Sequence, residues 1–178
     1  MCLRTKLELT FAILKPHVAA VPFRLQDIHS KILANGFYIV RTKKQRITLD
    51  QAKEFYDEHR EKFFYNRLVT FMSSGPCYFH ILARENAIQF WRNLMGPTKV
   101  FKTIFTHPHT IRGVHGLSDT RNATHGSDSE DSFKKEAKVF FPDFSASEWY
   151  SKEEDKFVRG ETQFDSENFI HVIRCNDR

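Results

Sequence analysis

Apolar and polar positions alternate from Leu7, and the segment turns wholly apolar as it nears Leu14. This reads as a strand, ended by Lys15-Pro16 because proline cannot continue a ladder. Leu25, Ile28 and Ile32 recur at helical spacing, with Gly36 where a helix C-terminal glycine belongs. Phe37 to Ile47 predicts a second strand, apolar first and basic after. Thr48 followed three residues later by Gln51 has the form of a capping box, opening a helix through Phe55 and His59. Ser74-Gly75-Pro76 signals a turn before a third apolar run, Cys77 to Ala83. Ala87, Ile88, Trp91, Leu94 and Met95 mark another helix, closed by Gly96-Pro97. Periodicity then vanishes from Thr98 to Ser127, a length that in compact domains belongs to functional or disordered loops. It returns from Ser129 to Phe141, with Phe133, Ala137, Phe140 and Phe141 on one side, and Pro142 stops it. The alternation of strands and helices predicts an α/β or α+β sandwich. Residues 1–144 form the predicted domain, and 145–178, polar except for Phe169 to Ile173, a C-terminal extension.

Composition narrows this further. A length of 178 residues, 40% hydrophobic and 28% charged, suits one domain with a real core, and eighteen Phe dominate its aromatic content. Three cysteines, at 2, 77 and 175, form no CxxC pair and argue for a reducing compartment. No apolar run approaches the roughly 20 residues of a membrane helix, and the start lacks signal-peptide architecture. A net charge of +5 permits nucleic-acid binding. Phosphorylated small molecules ask for the same charge, so nucleic acid is not the expected partner. The densest basic run, Arg41, Lys43, Lys44 and Arg46, reads as a solvated strand edge.

No P-loop, GxGxxG, HExxH or GxSxG is present. His107, His109 and His115 lack the Cys or carboxylate that would complete a closed metal site, and read as loop histidines. The segment Arg121-Asn122-Ala123-Thr124-His125-Gly126-Ser127-Asp128-Ser129 is richer. Glycine beside His125 leaves room for close approach of a ligand. Ser127 or Asp128 can cap the following helix, whose N-terminus favours anions. Spacing alone leaves open a second possibility, a capped helix with an incidental histidine.

Asn122-x-x-His125-Gly126-Ser127-Asp128 resembles the active-site signature of the nucleoside diphosphate kinases. The similarity runs from about Glu8 to Asp143, through Phe11-Ala-Ile-Leu-Lys15-Pro16, Tyr56 to Phe64, Met72 to Pro76, Arg92 to Thr98, Ile111-Arg112-Gly113 and Glu136. Phe63-Phe64-Tyr65, Gly96 to Phe101 and Asp119 to Asn122 are more similar to the divergent type-6 branch. The resemblance implies a ferredoxin-like α+β fold and a ping-pong transfer from a nucleoside triphosphate to a diphosphate. It makes His125 the nucleophile that becomes a phosphohistidine, a role that suits a neutral imidazole. Glu136 would orient that ring. Arg92, Thr98 and Arg112 would clamp the phosphates, and Tyr56 would place a hydroxyl near the transferred group. Lys15 and Asn122 would read ribose and phosphate, and Phe64, with Leu68 beside it, would stack the base. Mg²⁺ would ride on the phosphates, and Asp128 would reach it through water at most.

Three departures stand out, one of them the 145–178 extension, which has no counterpart in the core family. His17 replaces the Asp usual after Lys-Pro, and Lys99 to His109 is longer than in common members, where the corresponding loop serves trimer contacts. A state smaller than the common hexamer is therefore expected. The departures also support an alternative, a weakly active nucleotide-binding partner protein of the same fold. Cytoplasm is the default location, and the type-6 resemblance adds mitochondria as the alternative.

Overall fold

The computed structural model describes residues 6–174; Cys2, Cys175 and the first residues of the predicted domain lie outside them. Four strands make one antiparallel sheet: β1 (Glu8–Leu14), β2 (Tyr38–Arg46), β3 (Pro76–Arg84) and β4 (Thr124–Gly126), in the order β2-β3-β1-β4. With helices crossing between β1 and β2 and between β3 and β4, this is the ferredoxin-like α+β arrangement. β1 pairs on both sides, Ile13 opposite Phe79 of β3 and opposite His125 of β4. Six of its seven residues are buried, which is why its pattern turns wholly apolar.

Alternate side chains of β1 and β3 build two cores. Leu9, Phe11, Phe79 and Ile81 face α3 (Leu49–Phe55), α4 (Tyr65–Met72) and α8 (Glu130–Phe140). There Phe11 and Phe79 both stack on Phe140, with ring centres 5.6 and 4.2 Å away. Ala12, Leu14 and Leu82 face α1 (Pro16–Ala19), α2 (Pro22–Ala34) and α5 (Ala87–Met95). The Thr48–Gln51 capping box forms as predicted at the start of α3, but the helix ends at Phe55 and a single 3₁₀ turn, Asp57–His59, follows.

The aperiodic stretch is ordered after all. It contains α6 (Val100–Thr106), α7 (Ile111–His115) and β4. Both helices are too short for propensity to fix them. Side chains do it instead: Thr103 Oγ1 donates to the carbonyls of Pro97 and Lys99, and Thr110 Oγ1 accepts from Gly113 N–H. Phe101 and Phe105 of α6 are exposed. Beyond Ser145 the chain folds onto the first core through α9 (Ala146–Lys152) and α10 (Glu154–Val158), which bury Trp149 and Phe157. The hairpin β5 (Thr162–Asp165) and β6 (Ile170–Ile173) follows, and His171 Nδ1 accepts from Ile39 N–H at 2.9 Å, against β2.

Candidate active site

β4 is three residues long, and neighbours hold each of them. Thr124 Oγ1 donates to the Ile13 carbonyl at 2.8 Å, and Trp91 Nε1 donates to the His125 carbonyl at 3.3 Å. Gly126 does not open space for a ligand, as the sequence suggested. A Cβ there would lie 2.3 Å from Trp91 Cδ1, so glycine is required by the indole packed on it. Just upstream, Ala123 takes the left-handed conformation at φ +72°, backbone strain of the kind that collects at functional sites.

These contacts set His125, a quarter exposed, with its ring edge-on to Phe55 and Tyr56. Its Nε2 lies 2.7 Å from Glu136 Oε1. An ionised carboxylate only accepts, so Nε2 carries the proton and Nδ1 presents its lone pair. Glu136 is fixed in turn: Ser127 Oγ donates to its other oxygen at 2.6 Å and itself accepts from Phe11 N–H at 3.2 Å. Ser127 is fully buried and is no helix cap. The cap of α8 is Ser129, whose Oγ accepts from Ser132 N–H, while the Asp128 carboxylate accepts from the hydroxyls of Ser129 and Ser132. Sequence reasoning missed this use of Ser127, for which burial on the inner side of the strand is the signal.

Two cavities, about 1280 and 1170 Å³, meet at this imidazole. His125, Thr98, Arg112 and His59 line both. Lys15, Tyr56, Phe64 and Asn122 line the first, and Arg92 and Glu136 the second. All nine residues singled out from sequence therefore line these two adjoining cavities, with His59 added. Phe64 is half-buried on the wall of the first cavity, with Leu68 buried beside it.

Among the described residues neither buried cation in this space, Arg112 or Lys15, is paired with a carboxylate. Arg112 is 7% exposed; its two terminal nitrogens donate to the carbonyls of Gly96 and Thr124, at 2.7 and 3.0 Å. Burial, and then the charge of Arg92, pull its pKa down to about 10. Lys15 Nζ donates to the Thr120 carbonyl at 3.3 Å; burial and the charge of Arg112 bring it down to about 7. Three buried polar atoms on these walls have no partner: Tyr56 Oη, Arg112 Nε and Asn122 Oδ1. Burial raises the Tyr56 hydroxyl pKa, so it stays protonated. Unpaired groups cost stability, and these three belong to residues that border the same cavity.

Among the described residues no group of three His, Cys, Asp or Glu is placed to hold a metal ion. His115 is buried, however, not a solvated loop histidine. Among the described residues no helix is long and apolar enough to cross a membrane.

Comparison with known proteins gives a consistent picture. The family model "Nucleoside diphosphate kinase" matches residues 8–146. Nucleoside diphosphate kinase 6 of Danio rerio is 51% identical over 168 residues, covering 94% of this chain and 95% of that protein. The Homo sapiens protein of the same name is 47% identical over 167 residues, covering 94% and 90%. Among solved structures, the nucleoside diphosphate kinase of Aquifex aeolicus superposes with a TM-score of 0.73 at 37% identity, over 80% of this chain and 98% of that one. That of Halobacterium salinarum, solved in complex with CDP, gives 0.70 at 34% identity, over 80% and 97%.

Proposed function

The chain belongs to the nucleoside diphosphate kinase family, and from that premise we propose that it moves the γ-phosphate of a nucleoside triphosphate to a nucleoside diphosphate through His125. The observation that supports this most is the His125–Glu136–Ser127 chain, which frees one ring nitrogen at the junction of two cavities carrying buried, unneutralised cations.

In the first half-reaction the Nδ1 lone pair attacks the γ-phosphorus. The bond from that phosphorus to the bridging oxygen breaks, and the diphosphate leaves with the electron pair. Positive charge builds on the imidazole, and Glu136, accepting from Nε2–H, stabilises it. Arg112, Arg92 and Thr98 hold the phosphoryl oxygens; guanidinium donors in a low-dielectric wall need no reorganisation as charge shifts. Lys15, Asn122 and Tyr56 supply the remaining polar contacts to sugar and phosphate. Phe64 and Leu68 form the apolar shelf for the base, a contact that tolerates every nucleobase. In the second half-reaction a different diphosphate attacks the phosphohistidine and restores the free ring. Mg²⁺ fits as an ion carried by the phosphates: the site offers scattered carboxylates, not a cage, and Asp128, exposed on the second cavity, would hold it through water. Bound there it neutralises phosphoryl charge.

The test is direct. Incubation with γ-labelled ATP and Mg²⁺ is expected to give an acid-labile, alkali-stable label that peptide mapping places on His125 and that added GDP or CDP removes. A label elsewhere, or one that a diphosphate cannot discharge, overturns the reading.

Lys15 gives a second expected result. Its pKa of about 7 belongs to the free site, and bound polyphosphate raises it. At about pH 8, where free nucleotide is fully ionised, binding should take up more than about half a proton per nucleotide. Calorimetry of ADP binding in buffers of different ionisation enthalpy measures this, and Lys15→Met should abolish it. Equal heats in both buffers for the unmodified protein would refute it.

A further inference from the structure

Arg112 sits on α7, a helix of five residues that cannot hold its own orientation. Its first turn is fixed by the Thr110 cap. Its last residue, His115, is 6% exposed and reaches across to α2, where its Nε2 lies 2.6 Å from Asp27 Oδ2. Asp27 also pairs with Lys31 one turn along α2. Burial pushes its carboxyl up, but the hydrogen bonds to Lys31 and His115 and their charges together outweigh it and hold the carboxyl below the usual range. A carboxylate accepts, so His115 donates through Nε2. The backbone carbonyl of His115 meanwhile accepts from His17 Nε2 at 3.2 Å. His17 lies two residues beyond Lys15, at the start of α1.

One buried residue thus joins three segments: α7 with Arg112, the Lys15 turn through His17, and α2 through Asp27. None of the three residues lines either cavity. Nothing in the phosphoryl-transfer mechanism uses a charge-bearing bridge at this place. The bridge holds the base of both cations against the repulsion between them, which burial strengthens.

We propose that Asp27 and His115 are positioning residues that fix α7, and with it Arg112, in the orientation that receives nucleotide phosphate, His17 extending the same restraint to Lys15. This rests on the reading of Arg112 and Lys15 as phosphate-binding. Asp27 is partly exposed, so truncating it opens no core cavity.

The test is calorimetric titration of the full chain with ADP and Mg²⁺, which reports affinity and binding stoichiometry separately. Asp27→Ala is expected to weaken ADP about tenfold, the usual scale for losing an outer partner that orients a ligand-holding side chain. Stoichiometry should stay at the unmodified value, because every molecule remains folded. Asp27→Asn keeps an acceptor oxygen for His115 and should recover affinity to within about threefold of the unmodified protein. A purely structural role would lower stoichiometry at unchanged affinity, and that outcome overturns the proposal. So does an Asp27→Ala protein that binds within twofold, or an Asp27→Asn protein as weak as Asp27→Ala. Absence of ADP binding by the unmodified protein overturns the nucleotide reading itself, and this proposal with it.

Discussion

His125→Asn is expected to lower phosphate exchange between ATP and a second nucleoside diphosphate by at least about 10⁴-fold, the scale on which loss of a covalent nucleophile acts. The substitution is mild for the fold. Trp91 donates to the backbone carbonyl of residue 125, not to the ring, so the strand keeps its anchor. Glu136 keeps Ser127 as a donor. What disappears is the imidazole nitrogen poised by the 2.7 Å contact with Glu136 at the junction of the cavities. Other nucleophiles nearby are poorly placed to substitute. Burial raises the Tyr56 hydroxyl and pushes the Cys77 thiol up to about 12, so both remain protonated. Ser127 is committed to Glu136. His59 is the remaining imidazole that borders both cavities. A coupled exchange assay on His125→Asn decides the matter: residual activity above about 1% of the unmodified rate, with label mapped to His59, would mean the nucleophile has been misassigned.

Legibility from sequence followed how locally each element is determined. β1, β3, α5 and α8 carry their own periodicity, and burial in the structure matches the apolar positions that announced them. α4 escaped because its aromatic and β-branched residues, Tyr65 to Met72, follow directly on the turn at His59 and carry no cap signal; its N-cap, Phe64, makes no side-chain bond. α6 and α7 escaped because they are too short to show a periodic stripe; local side-chain bonds from Thr103 and Thr110 and the long-range His115–Asp27 contact hold them. The helices after Ser145 look polar in sequence, yet two aromatic residues, Trp149 and Phe157, suffice to seat them on the core. The site was harder. Taken one at a time, Arg92 reads as a surface charge and Phe64 as one phenylalanine among eighteen; only similarity to a family at matching spacing made them a set. Caps and close approach were misjudged at Ser127, Asp128 and Gly126, because spacing does not say that a tryptophan from α5 lies against the glycine.

Acidification should destabilise the protein well above the range in which carboxylates titrate. Burial holds His17 and His29 at about 4, with nearby Lys15, Arg24 and Arg121 adding to the effect on His17 against the His115 hydrogen bond. Burial, then the proximity of His29, holds His80 well below the ordinary 6.5, and burial lowers His171. Between about pH 6.5 and 4 the unfolded chain therefore binds more protons than the folded one, and stability falls as pH drops through that window. Lys15 does not oppose this, since its contribution changes only above about pH 7. The lowered carboxylates Asp27 and Asp128 lose their contribution only below about pH 4. Discounted for partial exposure, the window should remove on the order of 4 kcal/mol, a large share of a typical domain's 5–15. Three of these rings meet under the C-terminal hairpin. Phe169 stacks on His29 at 3.6 Å and leans on His80 at 5.8 Å, while His171 accepts from the β2 backbone and packs on Tyr38. Among the described residues no carboxylate acts on His29 or His80; Thr42, Tyr78 and Phe169 contact them, and Lys44 lies over Tyr78. Protonation there sets positive charge against an apolar seam, so residues 162–173 should loosen first. Urea unfolding followed by the buried Trp91 and Trp149, repeated from pH 7.5 to 4.5, measures the slope, and exchange of the backbone amides in β5 and β6 locates it. A midpoint that stays level across that range would remove histidine burial as the cause. His29→Phe, which keeps the stack on Phe169 and removes one titrating ring, should flatten the slope while leaving the protein as stable as before at neutral pH.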